Sequence, residues 1–307
     1  MFDTHCHLNF KVFEKDLGQV VADAKKAGVD HIVVPGTDVE SSKRAVEIAE
    51  EHEGVYAAVG IHPHHIFKFG RACLPPSLKL RWASAPLSRL PRAKSRDRSP
   101  PAKLKTGIFA YLLNPLIDLL KNKKVAAVGE VGVDRYYYEK TKYINYKVNE
   151  EFINLQKNIL IEQIELAKEY DKSLILHNRQ AADELLQILD KVWDKKLDGR
   201  TVFHCCEPED KLLNYAIDHK IFIGVDGDIT YKKKKQEFIK KVPLELLVLE
   251  TDSPYMVPRI NNVSIHDRPN KPKNIKVIAE FISNLLDVSI NQLIDTTTEN
   301  AKRLFLM

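Results

Sequence analysis

Short apolar runs alternate with amphipathic stretches along most of the chain. The runs have the length and the β-branched content of buried strands, and the stretches between them repeat apolar positions every three or four residues, as helices do. The predicted strands are Met1–Cys6, His31–Pro35, Tyr56–Ile61, Val125–Val131, Ser173–His177, Thr201–Cys205, Ile221–Val225 and Leu246–Glu250. This alternation of strand and helix predicts an α/β fold, a (β/α)8 barrel of the TIM type.

Residues 70–105 break this alternation. They contain six of the fifteen prolines and show neither helical nor strand periodicity. A structureless stretch of this length inside a compact domain is uncommon and is usually functional or disordered. We therefore predict a single barrel domain over residues 1–307, interrupted at 70–105 by a disordered, basic insertion rich in Pro, Ser and Arg. A flexible basic arm and a piece of unspliced or mistranslated sequence would both have this composition.

The net charge is basic, but the excess belongs to that one segment. The chain carries 47 Lys or Arg and 42 Asp or Glu, a net charge of +5. Residues 70–105 hold ten basic residues and one acidic residue, so the remainder has a net charge of −4. The body contains one dense basic run, Lys232–Lys235 with Lys240 and Lys241. A solvated helix face is favoured for this run over a contact with a nucleic-acid backbone.

The sequence has no feature of a membrane or secreted protein. No run of about 18 apolar residues occurs, and the first residues lack the basic and apolar regions of a signal peptide. The four cysteines show neither a paired framework nor zinc-ribbon spacing, which indicates reduced thiols. We expect a cytoplasmic monomer without a membrane partner.

Histidines and carboxylates recur where the predicted strands end. The residues at these ends are His5, His7, Glu130, His177, His204 and Asp252. In a barrel the carboxyl ends of the strands meet at one rim, which is where barrel active sites are built. Any one of these residues could have a structural role, but six of them at five strand ends are hard to explain as accidents. Four imidazoles and two carboxylates suit divalent transition metals, and two ions sharing one carboxylate would use the set best.

The chain resembles the TatD family of metal-dependent deoxyribonucleases. The resemblance covers nearly the whole chain except residues 70–105. The segments that carry it are Asp3-Thr4-His5-Cys6-His7-Leu8, Val59-Gly60-Ile61-His62-Pro63-His64, Val128-Gly129-Glu130-Val131-Gly132-Val133-Asp134, Leu176-His177-Asn178-Arg179, Phe203-His204-Cys205, Leu249-Glu250-Thr251-Asp252-Ser253-Pro254-Tyr255 and Glu299-Asn300-Ala301-Lys302-Arg303-Leu304-Phe305.

The resemblance implies a role for each candidate residue. His5, His7 and Asp252 would bind the first of two divalent metal ions, and His177 and His204 would bind the second. Glu130 would bridge both ions. Glu130 and Asp252 are thus the catalytic carboxylates, with Asp252 orienting the attacking water or accepting its proton. The implied phosphate contacts to the DNA substrate, or to another nucleic acid, are His62, His64 and Arg179. The ligand types accept Zn, Mn or, less readily, Mg.

Two segments depart from the family pattern. After His204 the family often has an aromatic residue, a serine and a glycine, whereas this chain has Cys205-Cys206-Glu207-Pro208. Glu207 could therefore approach the site. The family usually shows Arg-Asn-Glu-Pro near the C-terminus, where this chain reads Arg268-Pro269-Asn270-Lys271-Pro272. Lys271 replaces an acidic residue, so the contacts of that loop are open.

Two other functions stay open at this point. The same metal centre could act on another ester or amide, such as an aminoacyl-tRNA ester or a small metabolite, because a fold and a ligand set do not choose a substrate. A non-catalytic nucleic-acid-binding protein could use residues 70–105 and the lysine run. The intact set of six candidate ligands argues against the second alternative, since a binding module gains nothing from a catalytic metal centre.

Overall fold

The computed structural model describes residues 1–69, 108–260, 263–264 and 269–307. Eight strands form one parallel sheet in which each strand pairs with the next along the chain. They are β1 (Phe2–Asp3), β2 (His31–Pro35), β3 (Val55–Val59), β4 (Val125–Asp134), β5 (Ser173–Arg179), β6 (Thr201–Phe203), β7 (Phe222–Val225) and β8 (Leu247–Leu249). A short antiparallel pair, β9 (Arg259–Ile260) and β10 (Val263–Ser264), lies outside this sheet.

Helices follow the strands in the order expected for a (β/α)8 barrel. The described α-helices are α1 (Leu17–Lys26), α2 (Val39–Glu51), α3 (Ile108–Leu120), α4 (Glu150–Glu169), α5 (Ala182–Val192), α6 (Asp210–His219), α7 (Lys233–Ile239), α8 (Ile275–Leu286) and α9 (Ile290–Phe305). The last strand returns to the first, because the Thr4 amide donates to the Leu249 carbonyl at 3.0 Å and the Asp252 amide donates to the His5 carbonyl at 2.9 Å. The predicted TIM-type barrel is confirmed.

Apolar side chains fill the barrel, one from each strand. They are Phe2, Val33, Ala58, Ala127, Ile175, Val202, Phe222 and Val248. Helix α9 packs Ala301, Leu304 and Phe305 against this layer. The Asn300 amide group donates to the carbonyl of Leu247, the first residue of β8, at 2.7 Å. The last helix therefore covers the amino ends of the strands and leaves the carboxyl ends for a site.

Strand β4 is irregular where it approaches that site. Its register against β5 shifts between Val128 and Val131, and Glu130 lies within the irregularity. A Cβ atom at Gly132 would come within 1.9 Å of the His177 carbonyl oxygen, so only glycine permits the two strands to approach this closely. Bulges of this kind re-aim a side chain beside many active sites.

Two predictions about the whole chain are not settled by these elements. The predicted insertion at 70–105 lies outside the described residues, and the single-domain organisation stays a prediction with it.

Among the described helices, no single one is long and apolar enough to cross a membrane. Pro272–Leu286 and Ile290–Phe305 together meet the length and composition test, but they are bent by 113° at their junction.

Candidate active site

All six predicted ligands meet at the carboxyl ends of the strands, and Glu130 lies at their centre. One of its carboxylate oxygens, Oε2, is 3.5 Å from His5 Nε2 and 3.6 Å from His7 Nε2. The other oxygen, Oε1, is 2.8 Å from His177 Nδ1 and 3.8 Å from His204 Nε2. The two oxygens of one carboxylate thus have different closest histidines.

Asp252 and His204 both lie beside His5 and His7. Asp252 Oδ1 is 3.5 Å from His7 Nε2 and 3.9 Å from the Nε2 atoms of both His5 and His204. The His204 ring stacks on the His5 ring at 3.4 Å, with 14° between their planes. Asp252 follows β8 with a backbone φ of 48°, a left-handed conformation that costs a non-glycine residue about 1–2 kcal/mol. The turn brings its carboxylate back over the rim beside the two histidines of the first strand.

Around Glu130 and His5, the potential ligand atoms of the described residues form three overlapping groups of three residues. One group joins His5, His7 and Glu130, a second joins His62 with Glu130 and His177, and a third joins His5 with His204 and Glu250. His62 Nε2 is 3.5 Å from Glu130 Oε1. Among the described residues, therefore, His62 lies with the candidate ligands of the second ion and His204 lies beside the first. The implied roles of His62 on phosphate and of His204 on the second ion stay predictions.

The spacing of the donor atoms fits a divalent cation. His5 Nε2 and His7 Nε2 are 3.2 Å apart, and both face carboxylate oxygens. Two nitrogens bound at about 2.0–2.1 Å to one tetrahedral ion would be roughly 3.3 Å apart. Glu130 and Asp252 are both buried, and a buried carboxylate needs a compensating positive charge. The residues present could therefore hold a metal ion between the two histidines and these carboxylates.

The histidines and carboxylates shift one another's protonation. Burial raises the pKa of Glu130, but His62 and the hydrogen-bonded His177 outweigh burial and hold this pKa well below its usual value. Burial also raises the pKa of Asp252, and His7 and His204 bring it below its usual value. Burial and the neighbouring His204 lower the pKa of His5. Both carboxylates are therefore ionised at neutral pH, as metal ligands must be.

Two carboxylates that the sequence did not single out lie against His177 and His204. Asp134 Oδ2 lies 3.2 Å from His177 Nε2, and Glu250 Oε1 lies 3.0 Å from His204 Nδ1. Burial lowers the pKa of His177, but Asp134 and Glu130 outweigh burial and raise it to about 9. In the same way Glu250 raises the pKa of His204 to about 10. A carboxylate that hydrogen-bonds the far nitrogen of a ligating imidazole fixes the orientation of the ring, and Asp134 has this relation to His177.

The other two predicted phosphate contacts lie beside an aromatic loop after β4. The Arg179 guanidinium lies 3.6 Å from the centre of the Tyr136 ring and donates to the Tyr138 hydroxyl at 3.3 Å. That hydroxyl donates to Asp134 at 2.7 Å, which links Arg179 to His177. His64 Nε2 lies 3.0 Å from the Thr141 hydroxyl. Arg179 thus stands next to the candidate ligands, whereas the His64 ring lies against the loop and the His64 backbone amide donates to His62 Nδ1 at 3.1 Å.

The two departures from the family pattern lie at the edge of the site. Glu207 accepts hydrogen bonds from the Asn178 amide group at 2.8 Å and from the Gln180 backbone at 3.0 Å. It therefore braces the end of β5 and belongs to none of the three ligand groups. The Lys271 ammonium lies 3.7 Å from Asp16, on the side of α1.

The lysine run is divided between the interior and the surface. Lys235 is 2% exposed and lies 3.0 Å from Asp226 and 2.7 Å from Asp228. Lys232 also pairs with Asp228, at 2.8 Å. Lys240 and Lys241 pair with Glu237 and Asp210, both at 2.8 Å. The run is thus not one continuous basic surface, because the Lys235 side chain is buried against the two aspartates that follow β7.

A TIM barrel with histidines and carboxylates gathered at the carboxyl ends of its strands has the architecture of a metal-dependent hydrolase. The family model for TatD related DNase matches residues 2–306. The chain belongs to that family, and it is a metal-dependent hydrolase of the TatD type. The resemblance predicted from its motifs is confirmed.

Relatives with names and solved structures match nearly the full length. The metal-dependent hydrolase YabD of Bacillus subtilis is 29% identical, with 99% of this chain and 98% of that protein covered. The 3′-5′ ssDNA/RNA exonuclease TatD of Escherichia coli is 25% identical, with 99% and 98% covered. The crystal structure of YjjV, a TatD homologue of Escherichia coli, has a TM-score of 0.77 at 27% identity and covers 100% of this chain and 98% of its own.

Proposed function

We propose that this protein hydrolyses phosphodiester bonds in DNA with two divalent metal ions bound at the carboxyl ends of the strands. The observation that carries the proposal is the orientation of Glu130. Its Oε2 faces His5 and His7, and its Oε1 faces His177 and His62. A carboxylate with separate histidine partners on its two oxygens has the arrangement of a ligand that bridges two ions.

The residues of the chain divide the work of the reaction between them. Divalent ions at such a site lower the pKa of water and polarise a phosphoryl oxygen. His5, His7 and Asp252 would hold the first position, and His177 and His204 would hold the second, with His62 beside His177 and the His204 ring stacked on His5. The Asp252 carboxylate faces His5 and His7, and His7 and His204 hold its pKa below the usual value against the effect of burial, so it would orient the attacking water and accept its proton.

A nucleic-acid substrate is supported by a relative and by the surroundings of the site. TatD of Escherichia coli is named a 3′-5′ ssDNA/RNA exonuclease. In this chain Arg179 is held beside His177 by Tyr136 and Tyr138, with its guanidinium fixed for a phosphate. His62 and His64 are the other two residues that we assign to the phosphate, and His62 is the closer of them to Glu130.

The experiment is cleavage of end-labelled single- and double-stranded oligonucleotides after removal of metal and addition of Zn, Mn or Mg. We expect metal-dependent cleavage, and we expect Asp252→Asn to lower its rate by about 10²- to 10⁴-fold, the value of one acid–base role. Asp287→Asn is the matched control, because Asp287 has a similar φ of 53° and is exposed at the end of α8. Turnover of an ester substrate without any cleavage of oligonucleotides would overturn the proposal.

A further inference from the structure

An exposed aromatic ring stands beside the first candidate metal position. Tyr255 follows Asp252 by three residues, and its amide donates to the Asp252 carbonyl at 2.8 Å. The ring is 6.4 Å from the ring of His7 and 6.2 Å from that of Phe10. The residue is nevertheless 54% exposed. A large apolar ring is therefore held in solvent at the edge of the site.

The packing of this ring leaves it open for a stacking partner. The rings of His7 and Phe10 stack on each other, with their centroids 4.4 Å apart and 17° between their planes. Each of them therefore already has a stacking partner. Tyr255 stands nearly perpendicular to both, at 73° and 77°. Among the described rings, none lies parallel to Tyr255 within stacking distance.

The aromatic residues on the other side of the site already have partners on a face. Arg179 covers the Tyr136 ring at 3.6 Å. Tyr137 is exposed to the same degree as Tyr255, 55%, but it stacks on Tyr146 with 28° between the planes. The two sides of the candidate metal centre therefore differ. One side presents a fixed cation for phosphate, and the other presents an open π face.

We propose that Tyr255 is a stacking subsite for the base of the nucleotide next to the cleaved phosphodiester bond. This inference rests on the proposed nuclease function. A base joined through its sugar to the reacting phosphate lies within one nucleotide of the metal position, where the Tyr255 ring stands. Every base has a π face, so such a subsite accepts any sequence, but it requires a base that is unpaired. The subsite therefore selects single strands and frayed ends over intact duplex.

The experiment measures kcat/KM on a single-stranded oligonucleotide with one cleavable bond. Two further substrates replace the base on the 5′ or on the 3′ side of that bond with an abasic sugar. Stacking of one base is worth about 1–3 kcal/mol, which corresponds to roughly 5- to 140-fold in kcat/KM. We expect Tyr255→Leu to lower kcat/KM by that factor on the full substrate. On one of the two abasic substrates, we expect less than about 2-fold loss, which locates the stacked base.

Two other variants separate stacking from support of the metal centre. Tyr255→Phe keeps the ring and should keep the ratio between full and abasic substrates. Tyr137→Leu removes an equally exposed tyrosine and should leave all three substrates unaffected. Equal losses on full and abasic substrates would show that Tyr255 only supports His7, and they would overturn the inference. No loss on any substrate would overturn it as well.

Cleavage of the three oligonucleotides by the wild-type protein distinguishes the failure of this inference from that of the proposed function. If the metal-loaded wild type cleaves none of the three oligonucleotides, the nuclease function fails and the subsite fails with it. If the wild type cleaves the full substrate and prefers it to neither abasic substrate, only the stacking subsite fails. The metal content of each variant, measured by elemental analysis, identifies any loss that comes from an emptied metal site.

Discussion

Two clusters of buried carboxylates lie at the carboxyl ends of the strands, and they differ in the source of their positive charge. At the end of β7, Asp226 and Asp228 meet the ammonium of Lys235 at 3.0 and 2.7 Å. At the rim nearby, Glu130 and Asp252 meet imidazoles. In the described part of the chain, neither of these two carboxylates has an ion pair with a lysine or an arginine.

This difference separates a structural cluster from a site. A buried carboxylate that is left without a cation costs several kcal/mol, so each cluster needs one. In the β7 cluster the cation is the side chain of Lys235. Cys205, Asp226 and Asp228 have the donor types of a metal site, but the Lys235 ammonium already pairs with these aspartates. At the rim of the metal-free protein the positive charge lies on imidazoles, since the pKa of His177 is raised to about 9 and that of His204 to about 10. An imidazole can give up its proton and bind an ion, whereas an ammonium at the centre of a cluster cannot be exchanged, so the rim is the cluster that can take up an ion from solution.

The largest effect is expected where the two candidate ion positions share a ligand. Glu130→Gln keeps the shape of the side chain but removes the charge that faces both sets of histidines. We expect bound metal to fall from two equivalents towards none and hydrolysis to fall by at least about 10²-fold. Elemental analysis and a cleavage assay measure the two effects.

Glu207→Gln is the matched control for this variant. Glu207 is also a carboxylate at the rim, but its described partners are Asn178 and the Gln180 backbone. We expect it to keep two ions. His177→Ala should empty mainly one position. Two full equivalents of metal in folded Glu130→Gln protein would contradict a bridging role.

The next effect is on stability and concerns the cluster with its own cation. Lys235→Met leaves Asp226 and Asp228 buried without their main partner, so we expect the free energy of unfolding to fall by about 3–5 kcal/mol. Lys234→Met, at the exposed neighbouring position, should change it by less than about 0.5 kcal/mol. Urea denaturation measures both values.

A rescue variant tests the cause of that loss. Lys235→Met combined with Asp226→Asn and Asp228→Asn removes the uncompensated charges, and it should recover part of the lost stability. The folded Lys235→Met protein should still bind metal at the rim. Loss of metal from this variant, with the fold intact, would show that the two clusters are coupled and not independent.

A third effect is the pH dependence of the metal-free protein. The pKa of His177 is raised in the folded protein to about 9, above the ordinary histidine value of 6.5. The stabilisation from its protonated form is therefore complete below pH 6.5 and is lost as the pH rises through 9. We expect the unfolding free energy to decrease over this window by up to about 1.4 kcal/mol per pH unit.

Substitution and metal addition check the origin of this slope. His177→Gln should reduce it, whereas His219→Gln, on the distant helix α6, should not. Metal should remove the slope from the wild type, because an imidazole must be neutral to bind an ion. An unchanged slope in His177→Gln protein would contradict the assignment to this histidine.

The sequence predicted the fold and the candidate ligands for the same physical reason. Parallel strands are continuous apolar runs, and their polar carboxyl ends stand out from those runs in a barrel. His177 and Asp252 were found in this way. The strand limits were less accurate, since β4 extends to Asp134 and β5 to Arg179, beyond the predicted ends. The register shift at Glu130 depends on pairing with β5 and leaves no local pattern.

Residues whose role depends on a contact with a residue far away in the sequence were not predictable in this way. Lys235 belongs to a run that has the pattern of a solvated helix face, and its pairing with Asp226 depends on how α7 packs against the end of β7. Asp134 and Glu250 lie within the family motifs, but nothing local shows which histidine each one contacts. Their nearness in sequence to candidate ligands was the available signal. Tyr255 was visible as the end of a motif, but its exposure was not.

The smallest effect is expected for residues 70–105, which contain none of the predicted ligands. We predict that replacing Gly70–Lys105 with a short Gly/Ser linker leaves folding, metal content and cleavage of short oligonucleotides unchanged. The closure entropy of a loop changes by only about 0.6 kcal/mol for each doubling of its length, so the barrel should tolerate the exchange. Thermal unfolding, elemental analysis and the cleavage assay measure the three properties.

Binding to long DNA distinguishes the two origins of this segment. The segment carries ten basic residues and one acidic residue. If it is a basic arm, its loss removes phosphate contacts, so affinity for long DNA should fall and its dependence on salt should become less steep. If it is unspliced or mistranslated sequence, both quantities should stay as they are and the mature transcript should lack it. A linker variant that does not fold would contradict the prediction of an insertion, because it would show that the barrel needs these residues for its packing.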